Sequence, residues 1–525
     1  MAAQGAGPGQ GSGGPAAEPH PAQYFEPVRD RDVKVELQLP PGRKRQRLGP
    51  TWRSGPHTLA AAPTAGRIVT IKAAGQLLKS ASPKFCAMLE RWSGEGSGGA
   101  LRLQCGSEQE ADTWGDLLDC IHSLGRQLPA DVDAVLRLLL LAREQAAEPV
   151  VAACLRELHE KADQLPAAAC LALLSHLETG VSEHEQLQAL GARLLVAACQ
   201  RTAKLMSEDA AVRSDAAVQA QLLAYLGPLQ HMLNNSLRCD LFLGLPFELL
   251  RDCLFDDPNI NADYEVTVLA AFACWVERNI QELDEQGIEQ VTAICSRIRF
   301  PDIPAGMLRN YWTNWSFLNQ FDPGCDILSR ALVAASDPQQ VDMWKRYIDD
   351  NSDDDEDDGM LTVAQFKAKC ASWWQPREPQ LAPDDGAAEF AVEVDRSCSP
   401  DTEVYSVRKY WGGYWWRIQI SKEPEGCAGI FVSPSMSSSG SVPTTNMPKA
   451  LTYGIQADYR VYVDGSNASW SCEWRAGFLP SKGTGWGFYI KLNDEPVAWD
   501  AFWAPDSPWL VNGKARVRFT LEAVE

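Results

Sequence analysis

Along this chain the spacing of hydrophobic positions changes twice, and each change marks a different architecture. Asp32–Leu37 alternates apolar and polar residues, as a half-buried strand does, and Arg67–Lys72 repeats the pattern. Helical spacing runs from about Gly75 to Arg91. Gly94–Ala100 reads as a turn and Leu101–Cys105 as a short strand. The chain then becomes helical for about 200 residues. Asp131 stands where a helix cap is needed, ahead of Val135, Leu138, Leu139 and Ala142 on one face. Pro149 opens the next helix, with Val151, Cys154, Leu155 and Leu158 at the same spacing. Val268, Phe272, Trp275 and Val276 repeat it.

Past about residue 385 the period falls to two. Ala515, Val517, Phe519, Leu521 and Ala523 face one way in Lys514–Val524, and Arg516, Arg518, Thr520 and Glu522 the other. Ile455, Ala457, Tyr459, Val461 and Val463 share a face, and so do Trp486, Phe488, Ile490 and Leu492. Short alternating strands between Gly, Pro and Ser turns imply a β-sandwich or barrel. Eleven of the 18 tryptophans fall after residue 370; most are expected in the core and some on a binding surface.

Composition narrows the class. At 525 residues the chain is too long for one core. A net charge of −21 argues against general nucleic-acid binding, which needs a basic surface. The 15 cysteines are scattered without a CxxC pair, so they read as small buried side chains in a reducing compartment. Residues 1–27, rich in Gly, Pro, Ala and Gln, are expected to be disordered. They carry no apolar core and no basic start, so no secretory signal is expected. The longest apolar run, around Leu138–Ala142, is far too short for a membrane span. A soluble protein of the nucleus, the cytoplasm or both is expected.

Candidate chemistry is sparse. Arg43, Lys44, Arg45 and Arg47 sit in a Pro/Gly/Arg insertion at about 40–66, where they form either a nuclear-import signal or a solvated loop. Asp349–Asp358 is an acidic block. Asp354, Glu356, Asp358 and Gly359 copy the start of an EF-hand loop, but Gln365 stands where calcium needs a bidentate Glu, so an acidic linker is the better reading. His159-Glu160 lacks the second His of a zinc-protease helix. The glycines of Gly483–Gly487 lead into a strand and not into a phosphate-binding helix. No catalytic constellation, metal site or cofactor is expected.

A family resemblance rests on several motifs. Leu77-Leu78-Lys79-Ser80-Ala81-Ser82-Pro83-Lys84-Phe85-Cys86-Ala87-Met88-Leu89 and Leu117-Leu118-Asp119-Cys120-Ile121-His122-Ser123 resemble the helices of a BTB (POZ) domain. Leu245-Pro246, Leu249-Leu250, Leu254, Asp257, Glu265, Val268 and Trp275, followed by Ile298-Arg299-Phe300-Pro301, resemble a BACK domain. Gly412-Gly413, Gly485-Trp486-Gly487-Phe488 and Trp509-Leu510-Val511-Asn512-Gly513 look like the turns and strands of a TRAF-like, MATH-type sandwich. The order is similar to the plant light-response BTB (POZ/BTB-containing) proteins.

The resemblance implies a multidomain α+β chain. Its parts are a disordered tail at 1–27, a BTB α/β domain at 28–162, an all-α BACK domain at 163–310, a helical and acidic linker at 311–384, and an all-β TRAF-like sandwich at 385–525. It further implies a non-catalytic substrate adaptor of a cullin-3-type ubiquitin ligase. The BTB domain would form a homodimer through Asp32, Val33 and Val35 and hold cullin-3 through Phe85, Met88, Trp92 and Glu95. The β-domain would bind a substrate protein that the sequence does not name. The family's hydrophobic–x–Glu motif falls on Ser93-Gly94-Glu95, so the acid is present and Trp92 stands one place before the missing hydrophobe. The family's His two turns before the Ser-Pro is Ala74 here. A non-ligase scaffold or nuclear regulator with a protein- or glycan-binding β-domain stays open beside this reading.

Overall fold

The computed structural model describes residues 33–39, 68–92, 100–178, 180, 184–256, 259–280, 284–295, 297–304, 306–308, 311, 315, 317–318, 388–395, 403–435, 455–478 and 487–524. The protein is a multidomain α+β chain with an N-terminal α/β region, a central helical region and C-terminal antiparallel sheets. It divides into two compact units, one of residues 1–164 with 176–194 and one of 165–175 with 195–525. The expected disordered tail, the basic insertion and the acidic block lie outside the described residues.

In the first unit, β1 (Val33–Gln38) lies between β2 (Ile68–Ala73), antiparallel to it, and β3 (Ala100–Gln104), parallel to it. Val35, Leu37, Ile71, Ala73 and Leu101 are buried, which is the alternation the sequence carries. On the other face Glu36 sits between Lys34 (2.5 Å) and Arg102 (3.1 Å). The Lys34 hydrogen bond, supported by Arg102, holds its carboxyl below the usual range despite burial.

The single helix read from about Gly75 to Arg91 is two: α1 (Gly75–Ala81) and α2 (Pro83–Trp92). Ser82 between them is extended, with φ −152° and ψ 127°. The ring of Pro83 disfavours the helical conformation for the residue before it, and Pro83 itself suits the first turn of a new helix. Then come α3 (Glu108–His122), α4 (Val132–Glu144) and α5 (Glu148–Glu160). The Asp131 carboxylate accepts from Ala134 N–H at 3.0 Å, as the cap reading requires. The four apolar residues expected on one face of α4, and the four on α5, are all buried.

The helices continue with α6 (Ala167–Leu177), most of which belongs to the second unit, and α7 (Glu185–Glu208), which belongs partly to each, and in the second unit with α8 (Ala210–Ser214), α9 (Ala216–Leu226), α10 (Leu229–Asn234) and α11 (Ser236–Leu243). After them come α12 (Phe247–Leu249), which runs on into a π-helical turn at Leu250–Leu254, α13 (Glu265–Asn279) and α14 (Glu285–Cys295). The sequence assigns α13 one apolar face. In the fold every residue from Val266 to Val276 is buried, so this helix is the axis of its core. Phe272 stacks on Trp275, and Trp275 Nε1 donates to the Leu245 carbonyl at 2.9 Å.

The C-terminal strands are β4 (Ala388–Asp395), β5 (Glu403–Tyr405), β6 (Lys409–Trp411), β7 (Tyr414–Lys422), β8 (Ala428–Ser435), β9 (Ile455–Asp464), β10 (Ser469–Phe478), β11 (Gly487–Tyr489), β12 (Lys491–Leu492), β13 (Glu495–Pro496), β14 (Leu510–Val511) and β15 (Lys514–Val524), with α15 (Trp499–Phe502) before β14. One sheet runs β10-β9-β15 with β4 and β14 also on β15; the other runs β11-β8-β7-β5 with β6 also on β7. Ala515, Val517, Phe519 and Leu521 are buried, and so are Ala457, Tyr459, Val461 and Val463, as the alternation predicts.

The face expected from Trp486 to Leu492 does not form as one strand. β11 ends at Tyr489, Ile490 is fully buried and Leu492 is 45% exposed. Asn493 (φ 51°) and Asp494 (φ 66°) turn the chain back on itself as β12–β13. Gly412 (59°) with Gly413 (84°), and Asn512 (56°) with Gly513 (79°), make the same two-residue turn, which requires positive φ at both positions.

Candidate functional site

The first candidate surface is built on Ser82. Its hydroxyl is fully buried and serves three partners. It accepts from the N–H groups of Lys84 (3.1 Å) and Phe85 (3.2 Å), capping α2, and donates to the Gln145 carbonyl at 2.5 Å. The Lys84 ammonium donates to the neighbouring Glu144 carbonyl. The start of α2 is thus fixed on the end of α4, where Gln145 and Glu144 each give a carbonyl to it. A groove of about 440 Å³ opens beside this junction, lined among others by Ser80, Pro83, Ala146, Pro149, His184 and Leu187.

The expected cullin residues divide. Phe85 is fully buried and packs edge-on against Trp114 at 6.2 Å, so it anchors α2 from beneath. Met88 is half-buried on α2, beside exposed Ala87 and Glu90. Trp92 closes α2, but its side chain, Ser93 and Glu95 lie outside the described residues. Of the expected dimer residues, Asp32 also lies outside them, Val33 is half-buried, and Val35 is fully buried in the central strand. Arg43, Lys44, Arg45 and Arg47 are outside as well. Among the described residues no group of three His, Cys, Asp or Glu is placed to hold a metal ion, and no helix is long and apolar enough to cross a membrane.

The second candidate surface was not named by the sequence reading. On one face of the β11-β8-β7-β5 sheet, Tyr405, Gln419 and Phe431 stand in register across β5, β7 and β8, with Arg417 and Ser433 paired in the next row. The Arg417 guanidinium lies 4.3 Å from the centre of the Tyr405 ring, and its Nε donates to Ser433 Oγ at 3.3 Å. Tyr405 donates its hydroxyl to Glu403 at 2.5 Å. Burial, and then the nearby Arg417 charge, push the Arg408 guanidinium down to about 10. Val407 beside it is 65% exposed. The result is a part-exposed patch of two cations, two aromatic rings, an amide and the Glu403 carboxylate, suited to a polar chain segment. A sequence signal existed: within Tyr414–Lys422, Arg417 and Gln419 alternate with Ile418 and Ile420, which are buried.

Comparison with protein-family models gives no match to this chain, and comparison with curated proteins gives none. The class is therefore defined by the architecture alone: a multidomain α+β protein in which an α/β region and a helical region precede antiparallel sheets.

Proposed function

We propose that this protein is a non-catalytic adaptor of a cullin-3-type ubiquitin ligase, made of a BTB domain, a BACK domain and a TRAF-like sandwich. The observation that carries the reading is the Ser82–Pro83 junction, where the resembling motif coincides with a buried, fully bonded break between two helices beside a three-stranded sheet. The two C-terminal antiparallel sheets, with alternate positions buried on their strands, support the sandwich. The α2 surface would hold the cullin, and the Tyr405–Arg417 face would hold the substrate protein. The adaptor would act by proximity, raising the effective concentration of substrate near the ubiquitin-carrying enzyme.

The test is a calorimetric titration of the full chain with the cullin-3 N-terminal domain, followed by Trp92→Ala and Glu95→Ala. Binding that each substitution weakens supports the reading. Absence of binding by the unmodified chain sinks it. A non-ligase scaffold or nuclear regulator, with a protein- or glycan-binding β-domain, is then the reading left.

A further inference from the structure

The hairpin of β6 and β7 ends among the helices of its own unit. Asn234, the last residue of α10, meets Tyr410 in the middle of β6. Its amide nitrogen donates to the Tyr410 carbonyl at 2.8 Å, and its amide oxygen accepts from the Tyr410 N–H at 2.6 Å. One side chain thus does for Tyr410 what a neighbouring strand does for a ladder residue. The Tyr410 ring continues into the helical core, where its hydroxyl donates to Thr267 Oγ1 at 3.2 Å, and Thr267 donates to Asp263 at 2.7 Å. From the other side the Tyr311 hydroxyl donates to the Gly413 carbonyl at 2.6 Å. Tyr410, Tyr311 and Thr267 are all buried.

The turn itself is fitted to the helices. A Cβ on Gly413 would stand 3.1 Å from Met307 Sδ and 3.2 Å from a methyl of Val266, at a φ of +84° that only glycine adopts freely. These bonds are directional. Sliding the hairpin by one residue would break both Asn234 bonds to Tyr410 and take the buried Tyr410 and Tyr311 hydroxyls away from Thr267 and Gly413, at a desolvation cost. Greasy contact alone would tolerate such sliding, and domains of one chain move by default unless something prevents it.

We propose that this hairpin is a latch that joins the helices and sheets of its unit into one cooperative body and fixes the direction in which the Arg417 face is presented. The same strand does both jobs: Tyr414, Trp415 and Trp416 are buried at the latch end of β7, and Arg417 and Gln419 follow on the exposed face. The latch stands independently of the adaptor reading.

Hydrogen exchange of the full chain across a denaturant series tests it. Peptides from α13 and from β7 are expected to open together, reaching the same opening at the same denaturant concentration. Asn234→Ala is expected to speed exchange of the Tyr410 peptide by roughly tenfold or more and to let β7 open before α13. Asn234→Asp, which keeps the acceptor and loses the donor, is expected to fall between. Should Asn234→Ala fail to fold, Tyr410→Phe decides on the same readout, with an expected acceleration of about fivefold. Separate opening of α13 and β7 in the unmodified chain, or exchange at Tyr410 unchanged by every variant that folds, overturns the proposal.

Discussion

The imidazole Nε2 of His122 accepts the backbone N–H of Ala74 at 3.0 Å, across 48 residues of chain. Ala74 immediately precedes α1, and its N–H is one of the donors that a helix start leaves without a partner inside the helix. The last residue of α3 therefore completes the entry to α1. For this bond Nε2 must be unprotonated. His122→Ala is expected to cost about 1–2 kcal/mol, read from urea unfolding of the full chain followed by circular dichroism. A loss below about 0.3 kcal/mol would mean that the bond contributes nothing.

Ser82→Ala removes one hydroxyl with three partners. It is expected to destabilise the first unit by about 2 kcal/mol, against less than about 0.5 kcal/mol for Ser80→Ala in the exposed last turn of α1. The comparison separates loss of the junction from a general effect of removing serine. Equal effects at both positions would contradict the part assigned to Ser82.

Asp116 gives a pH dependence whose sign is fixed. Burial first, then the charges of Asp112 and Asp119, push its carboxyl up to about 6, and Arg137 offsets only part. Between the ordinary Asp value and 6 the folded chain binds the proton that the unfolded chain has released. Stability from this group therefore falls as pH rises from about 4 to about 6, by at most about 3 kcal/mol, and then levels off. Asp116→Asn should raise stability at pH 7 and flatten that interval. Denaturant midpoints at pH 4.5 and 7 for both proteins check it.

Asp494 holds φ at +66° in the β12–β13 turn. That region costs a side-chain-bearing residue about 1 kcal/mol and glycine little. Asp494→Gly is therefore expected to leave stability unchanged or raise it by up to about 0.5 kcal/mol, since glycine also loses more freedom on folding. Gly413→Ala, at +84° and pressed on Met307 and Val266, is expected to lower stability by more than 1 kcal/mol. Thermal melts of the two variants should move apart, and a similar fall in both would contradict this.

Arg417 is half-buried and its bond to Ser433 is a single neutral-acceptor contact, so Arg417→Ala should change stability by no more than about 1 kcal/mol; if this face holds the proposed substrate, it should weaken that binding. Parallel melts, and titration with whichever substrate protein is identified, check the two halves of this expectation. Unchanged affinity would move the partner site off this face.

Much of the fold was legible where one face of an element meets the core and the other meets water. Val517 and Arg518 face opposite ways in period two, Val135, Leu138 and Ala142 recur at helical spacing, and both patterns were readable. Three features escaped for physical reasons. One extended residue, Ser82, breaks a helix without disturbing the apolar spacing around it. The full burial of α13 depends on chain contributed from far along the sequence, and no local pattern carries that. Ile490 continues the alternation of Phe488 yet leaves the strand, because the turn at Asn493–Asp494 reverses the chain just beyond it. The candidate site was legible in part: Phe85 and Met88 were found as a pair, but the spacing does not tell the residue beneath the helix from the one on its flank. The Arg417 face was written in the alternation of β7, without anything local to say that Tyr405 would lie under its guanidinium.

The reach of the Tyr410 hydroxyl to Thr267 spans 143 residues. A ribosome adds that length in roughly 7–30 s at ordinary rates of synthesis. For that interval the newly made α13 has emerged without the segment that finishes its burial, and its Val266 and Thr267 wait for Gly413 and Tyr410 to be translated. The nascent helical region is therefore incomplete for seconds, long compared with helix formation itself, before the hairpin that finishes it is made.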